Sequence, residues 1–334
     1  MTRVAVMGSG SWGTAFGMVL ADAGSDVTMW ARESSLADVM NRDHVNPTYH
    51  PGIILPASLR ASADVAQALE GAEIVVLAIP SQTLRDNLSA WRPLLPEGST
   101  LVSLMKGIEL GTTLRMSQVM AEVAQVGDDR VAVVSGPNLA REIAQRQPAA
   151  TTVACADEMA AKRLQDACTT GYFRPYWTTD MIGTEIGGSV KNVIALANGM
   201  AVGMGFGENS QASLITRGLV EMTRLGIALG AEAETFLGLA GIGDLIATCS
   251  SSLSRNRTFG ENLGRGLTVD ETIAATKQTC EGVKSCQSIL DLARKHGVDV
   301  PITEQVVNVV HHGMPPAHML QAFMSRETKA EGID

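Results

Sequence analysis

The chain is poor in aromatic residues, poor in cysteine and without a long apolar run, and each shortage closes off a class of function. Phe, Trp and Tyr make up only 4% of the 334 residues, which leaves little material for stacking single-stranded nucleic acid. Positive charge is also scarce. Against 35 Asp and Glu stand 26 Lys and Arg, a formal charge of −9 at pH 7, which argues against a nucleic-acid or anionic-membrane surface. Any anionic ligand must be held by a local cluster of cations, against the sign of the whole molecule. The five cysteines (Cys155, Cys168, Cys249, Cys280, Cys286) are odd in number and form no C-x-x-C pair. That predicts a reducing compartment, with neither a disulfide framework nor a structural zinc site. His311-His312 closes an apolar helical stretch before Gly313, where an imidazolium suits a helix C-terminus. The pair has no further ligand at useful spacing, so no metal is expected. Nothing in the chain is apolar for the roughly 18 residues a membrane span needs. Arg3, the run after it and Ala21-Asp22-Ala23 imitate a secretory leader, but glycines interrupt that run and Asp26–Trp30 continues as a strand. The chain reads as a cytoplasmic protein without nucleic-acid or membrane partners.

What is present begins at once. The apolar strand Arg3–Met7 runs into Gly8-Ser9-Gly10-Ser11-Trp12-Gly13, and an apolar helix follows. In this order each glycine has a physical task. Gly8 permits the tight turn, Gly10 lets backbone approach a pyrophosphate, and Gly13 lets the helix pack closely on the sheet. The N–H groups at the helix start then face two phosphates. The first half continues as alternating short strands (3–7, 26–31, 74–79, 100–105, 130–135, 151–156) and helices (13–23, 62–69, 81–90, 113–125, 157–167). Continuous apolar strands in such alternation predict a mostly parallel sheet covered on both faces, with ligands beyond the carboxyl ends of the strands, where Pro80, Lys106 and Gly136 fall. From about residue 180 helical periodicity takes over in 184–204, 209–230, 270–275, 282–296 and 302–312, separated by glycine-rich breaks. The expected fold is α/β: an N-terminal Rossmann-type doubly wound sheet (1–182) as the dinucleotide-binding domain, then an all-helical C-terminal domain (183–334) for substrate and catalysis.

The cofactor and the chemistry can be read one step further. An acidic residue about 20 positions beyond the last glycine usually holds the ribose 2′-hydroxyl. Here the second strand ends Trp30-Ala31-Arg32-Glu33, and Arg32 is available for a 2′-phosphate. The expectation is NADP(H), with NAD(H) possible; Arg32 stacking on adenine, or Glu33 reaching the ribose, is the alternative. Lys191 lies among small and apolar residues early in a helix, a setting that lowers an ammonium pKa towards working pH and suits a proton donor. A lysine snorkelling to solvent would look the same. Lys106 ends an apolar strand beside Gly107, placed for cofactor and substrate together, or simply solvated. Asp244 is the lone carboxylate of an uncharged stretch: it could cap a helix, bind a substrate hydroxyl or orient Lys191. Ser254-Arg255-Asn256 packs hydroxyl, guanidinium and amide as a phosphate clamp would, although a hydrated polar loop has the same composition. Together these features imply a small phosphorylated substrate.

The ordered motifs GSGSWGTA, KGIE, SGPNLAREIA, GGSVKNVIALANGM, GIGDLIATCSSSLSRNR and CEGVKSC resemble the bacterial NAD(P)-dependent glycerol-3-phosphate dehydrogenases, from Gly8 to about Gln305. The resemblance implies reduction of dihydroxyacetone phosphate by NAD(P)H to sn-glycerol 3-phosphate, which feeds phospholipid synthesis, and a homodimer. It makes Lys191 the catalytic acid and base, and Lys106 a lysine shared by cofactor and substrate. Gly136, Asn138, Asp244, Ser254, Arg255 and Asn256 fall at substrate-contacting positions of the family. Ser11, Trp12, Arg32, Ala140, Arg255 and Glu281 fall at positions that touch the cofactor. Two departures stand out: Asn138 replaces the usual Ser or Thr, and Thr279-Cys280 replaces a valine-rich pair. Two other readings compete. A two-domain hydroxyacid or ketoacid reductase would need groups suited to a carboxylate in place of the Ser254-Arg255-Asn256 loop. A non-catalytic NAD(P)H-binding regulator would have no use for Lys191 and Lys106 together.

Overall fold

A computed structural model describes residues 1–276, 280–325 and 332. The chain forms two compact units, Met1–Met105 with Met116–Met181, and Lys106–Arg115 with Ile182–Asp334. In the first, the described strands are β1 (Arg3–Met7), β2 (Asp26–Trp30), β3 (Arg60–Ser62), β4 (Ile74–Leu77), β5 (Thr100–Ser103), β6 (Val131–Ser135), β7 (Ala149–Cys155) and β8 (Phe173–Thr178). They make one eight-stranded sheet in the order β3-β2-β1-β4-β5-β6-β7-β8. Every neighbouring pair is parallel except β6–β7. The central strands β1, β4 and β6 are nearly continuous buried runs, as a sheet covered on both faces requires. The strand order reverses between β1 and β4, the topological switch point of a doubly wound sheet. Their register pairs Met7 with Leu77, which brings Gly8 beside Ala78 at that point.

Two strands were not expected. β3 is only three residues long and takes the start of the helix expected over 62–69, so that helix runs Val65–Leu69 behind its Asp64 cap. β8 contains Pro175, which argues against a central strand; it is tolerated because β8 pairs with β7 alone, at the sheet edge.

The second unit is helical throughout its described elements. Its long helix Met181–Gly203 is buried along most of its length and meets the helix Arg255–Gly264 backbone to backbone. The contact is a double row of glycines. A Cβ at Gly199 would lie 2.1 Å from the Arg257 carbonyl oxygen, and one at Gly203 would lie 2.2 Å from that of Glu261. From the other side, a Cβ at Gly260 would lie 2.1 Å from the Leu196 carbonyl oxygen, and one at Gly264 would lie 2.2 Å from that of Met200. Each helix therefore presents glycines four residues apart, one turn above the other. Phe259, Leu196 and Ile289 fill the core around this crossing. The segment Lys106–Arg115 joins this unit through buried Ile108, whose carbonyl accepts the Ser288 hydroxyl at 2.8 Å.

Gly260→Ala is expected to push the two helices apart, because the obstacle is backbone and cannot rotate away. Denaturant titration should show a loss of roughly 3 kcal/mol. An unchanged midpoint would mean that the crossing is looser than its geometry.

Candidate active site

In the first unit the residues that could hold a dinucleotide lie at the carboxyl ends of β1, β2 and β6. Gly8, directly after β1, has φ +134°, and a Cβ there would sit 2.4 Å from the Ala78 carbonyl oxygen. A Cβ at Gly13 would meet the Gly8 carbonyl oxygen at 2.3 Å, so only glycine allows the helix Ser11–Asp22 to start this close to the turn. Gly10 is different. It occupies the N-cap position with ordinary φ, and nothing lies within 4 Å of where its Cβ would be. No side chain caps this helix and no acid sits in its first turn, so its leading N–H groups face outward as an anion site. The glycine loop thus fits a dinucleotide pyrophosphate in shape and in chemistry. Ser11 and Trp12 form the helix start, and the Trp12 ring packs on Phe16 at 5.5 Å.

Arg32 follows β2 and is largely exposed, with its guanidinium 3.8 Å from Glu33, too weak and solvated a pair to immobilise it. Beyond β6, Gly136 has φ +151°, and the short helix Ala140–Ala144 begins four residues later. Between them the Asn138 amide donates to the Thr151 hydroxyl at 2.9 Å, and Thr151 donates to the Ser135 carbonyl at 3.0 Å. The Asn138 carbonyl oxygen is buried with no partner among the protein's own groups, so an acceptor is left over at the strand end.

In the second unit Lys106, Lys191 and Asp244 form one ionic cluster. Asp244 Oδ1 accepts from Lys191 Nζ at 2.5 Å, and Asp244 Oδ2 accepts from Lys106 Nζ at 2.5 Å. Asp244 starts the helix Asp244–Ser250 but does not cap it; Gly243 holds the cap position and the carboxylate is spent on the two ammoniums. Lys191 also donates to the Thr248 hydroxyl at 2.6 Å, which in turn donates to the Asp244 carbonyl at 2.7 Å. Lys191 is buried, which removes the snorkelling alternative. Burial pushes the Lys106 ammonium down to about 8, with Asp244 pulling the other way and the Lys191 charge lowering it further. Close backbone approach again sets the geometry: a Cβ at Gly187, one helical turn before Lys191, would lie 2.2 Å from the Ala240 carbonyl oxygen.

Ser254-Arg255-Asn256 is a helix start and not a free loop. The Ser254 hydroxyl caps the Arg257 N–H at 3.3 Å, leaving Arg255 and Asn256 as the first two helical residues. The Asn256 side chain is buried; it donates to Asn192 Oδ1 at 2.9 Å and accepts from the Gly282 N–H at 2.9 Å and the Cys280 thiol at 2.8 Å. Glu281 opens the helix Glu281–Lys295 beside that knot. Thr279 lies outside the described residues. Among the described residues, no group of three or more His, Cys, Asp or Glu side chains is arranged to hold a metal ion. No single described helix is long and apolar enough to cross a membrane.

Sequence reasoning missed Thr248 and Asn192. Thr248 had a signal, its position one turn after Asp244, and Asn192 had another, its place next to Lys191. It also missed Asn46 and His50, whose contacts run to the glycine loop across a loop of the fold.

A doubly wound sheet with this glycine loop is the architecture of dinucleotide-binding proteins, and the buried lysine–aspartate–lysine cluster supplies groups able to move a proton, as an oxidoreductase requires. Residues 3–161 match the N-terminal part, and residues 180–321 the C-terminal part, of the NAD-dependent glycerol-3-phosphate dehydrogenases. The glycerol-3-phosphate dehydrogenase [NAD(P)+] of Streptomyces avermitilis is 64% identical over 329 residues, 98% of either chain. That of Thermobifida fusca is 63% identical over 332 residues, 99% of either chain. The crystal structure of the Coxiella burnetii glycerol-3-phosphate dehydrogenase superposes with a TM-score of 0.92 at 37% identity, covering 97% of this chain and 99% of that one. The chain belongs to the NAD-dependent glycerol-3-phosphate dehydrogenase family.

The open space at Gly10 gives a clean separation of folding from binding. Gly10→Ala should cost under about 1 kcal/mol of stability, the usual penalty for alanine at an N-cap. Dinucleotide affinity, measured by calorimetric titration, should fall about tenfold or more because a methyl group occupies the approach path. Wild-type affinity in this variant would place the pyrophosphate elsewhere.

Proposed function

We propose that the protein reduces dihydroxyacetone phosphate reversibly to sn-glycerol 3-phosphate with NAD(P)H and so supplies glycerophospholipid synthesis. The observation that carries the reading is the buried Lys191 ammonium, held at 2.5 Å by Asp244 and at 2.6 Å by Thr248. The reduced dinucleotide, when bound, supplies the hydride. As the substrate carbonyl oxygen gains negative charge, Lys191 donates a proton from Nζ and the oxygen becomes a hydroxyl; in oxidation the neutral amine takes that proton back. An ammonium has three N–H groups. With two directions fixed by Asp244 and Thr248, the third has a set aim, which is the preorganisation a general acid needs.

Lys106 adds a second positive charge to the same carboxylate, so the cluster keeps a net charge of one within a protein of net charge −9. That local surplus attracts an anionic triose phosphate. Asp244 acts by orienting both lysines. The phosphate is held at the start of the helix Arg255–Gly264, by first-turn N–H groups and the Arg255 guanidinium, behind the Ser254 cap. Asn256 fixes that helix start against Asn192 and Gly282. Gly136 and Asn138 contribute the close backbone and the spare acceptor at the end of β6. The pyrophosphate rests on Gly8, Gly10, Ser11, Trp12 and Gly13, while Ala140 and Glu281 border the cofactor. Arg32, exposed and barely tethered, meets the 2′-phosphate of NADP(H), which makes NADP(H) the preferred cofactor and NAD(H) a possible one. A cytoplasmic homodimer completes the reading; five buried free thiols suit a reducing compartment.

The purified protein with dihydroxyacetone phosphate and NADPH tests this directly. Lys191→Ala should lower kcat by about 10²–10⁴-fold while NADPH affinity holds, and near-normal turnover would remove Lys191 from the mechanism. On the cofactor, kcat/KM should favour NADPH over NADH, and Arg32→Ala should shrink that ratio about tenfold through loss of a charge-assisted hydrogen bond. A ratio that does not move with Arg32 would hand the discrimination to another residue.

A further inference from the structure

Outside the glycine fingerprint, the loop that follows the helix Ser34–Asp43 sends two buried side chains into it. Asn46 Nδ2 donates to the Ser9 carbonyl at 2.9 Å and to the Thr14 hydroxyl at 2.9 Å, and Thr14 donates to the same Ser9 carbonyl at 3.1 Å. His50 Nε2 lies 2.8 Å from the Ser11 carbonyl oxygen. A carbonyl can only accept, so Nε2 carries a proton and donates it to Ser11. The buried Nδ1 of the same ring has no partner, in keeping with an unprotonated nitrogen. Asn46, His50 and Thr14 are all fully buried.

The platform they stand on is itself closed. Val45 bridges Ile54, the Leu55 N–H donates to the His44 carbonyl at 2.8 Å, and the His50 N–H donates to the Asn46 carbonyl at 2.8 Å. The Tyr49 N–H donates to Asn46 Oδ1 at 3.3 Å, which fixes the amide's orientation. Neither Asn46 Nδ2 nor His50 Nε2 donates within the loop that carries it. Both reach the peptides of the glycine turn.

The consequence follows from peptide geometry. In a planar trans peptide the C=O and the next residue's N–H point in opposite directions. Drawing the Ser9 carbonyl inward aims the Gly10 N–H outward, and holding the Ser11 carbonyl does the same for the Trp12 N–H. These are N–H groups at the uncapped start of the helix Ser11–Asp22, where an anion would be received. Each inward grip satisfies a buried carbonyl and simultaneously sets the direction of a donor.

We propose that Asn46 and His50 are positioning residues for dinucleotide binding: by gripping the Ser9 and Ser11 carbonyls they aim the Gly10 and Trp12 N–H groups at the pyrophosphate. This rests on the dinucleotide reading of the glycine loop. The two side chains touch neither substrate nor reacting atoms, so their effect falls on cofactor affinity and not on the chemical step.

The test is calorimetric titration of NADPH into the wild-type protein and the variants Asn46→Ala, His50→Leu and His50→Gln, with the thermal unfolding midpoint of each recorded. Binding by the wild type checks the dinucleotide reading itself; without it that reading fails before this proposal is reached. Asn46→Ala and His50→Leu should weaken NADPH about tenfold or more, while kcat at saturating NADPH and KM for dihydroxyacetone phosphate stay at wild-type values. His50→Gln should recover most of the affinity, since its terminal amide can donate to the Ser11 carbonyl where the Leu side chain cannot. Equal affinity in the Gln and Leu variants would overturn the proposal, even if Asn46→Ala does not fold. So would lowered unfolding midpoints with unchanged affinity, or an equal rise in KM for the triose phosphate, because either means the two residues only support the fold.

Discussion

The charged cluster of the second unit depends on one buried carboxylate. Asp244 is 1% exposed and accepts a hydrogen bond from each of two lysines, one per oxygen. Burying a carboxylate alone would be prohibitive, and burying two ammoniums side by side would be worse. The three charges are tolerable only together and only at hydrogen-bond distance. Such a cluster therefore demands accurate backbone placement from elements far apart in sequence: a segment at residue 106, a helix at 191 and another at 244. Glycines supply that accuracy. At Gly187, Gly199, Gly203, Gly260 and Gly264 one backbone lies where a Cβ would otherwise be, so the helices have little freedom to slide.

The two units offer different groups to an anion. The first has a helix start without a side-chain cap, preceded by a sterically required glycine, with the Asn46 and His50 side chains bonded to carbonyls of the turn. In the second unit the positive side chains Lys106, Lys191 and Arg255 stand out in a chain that is acidic as a whole. Lys106, with its pKa pushed down to about 8, sits close to the edge of losing its proton in the neutral range. The carboxylate beside it favours the charged form against the cost of burial.

Legibility in the sequence followed how local each feature is. The glycine fingerprint could be read because strand, turn and helix are adjacent in the chain, and Gly8 and Gly13 answer steric demands within that stretch or at the neighbouring strand end, whereas Gly10 has open space around it. The long apolar strands and the helical second half were equally readable from periodicity. β3 and β8 were not, because a three-residue strand carries no period and Pro175 speaks against a strand until its edge position is known. Asp244 left three readings open in sequence; in the structure it does not cap its helix, and its carboxylate accepts from Lys191 at 2.5 Å. Asn256 read as part of a phosphate clamp, and nothing in the sequence hinted that its amide also bonds Asn192, Gly282 and Cys280.

By itself the sequence determined the class of fold, the family, the location of the dinucleotide loop and the residue types able to do the chemistry. These rest on short-range order: hydrophobic period, glycine spacing and motifs contiguous in the chain. Only the tertiary structure decided which of those residues touch. That Lys106 and Lys191 share one carboxylate, that Thr248 holds the ammonium, and that Asn46 and His50 grip the glycine turn are contacts across 30 or more positions in most cases, 138 for Lys106 and Asp244. Contacts of that kind depend on how buried backbones pack against each other, and no local pattern of residues records that packing.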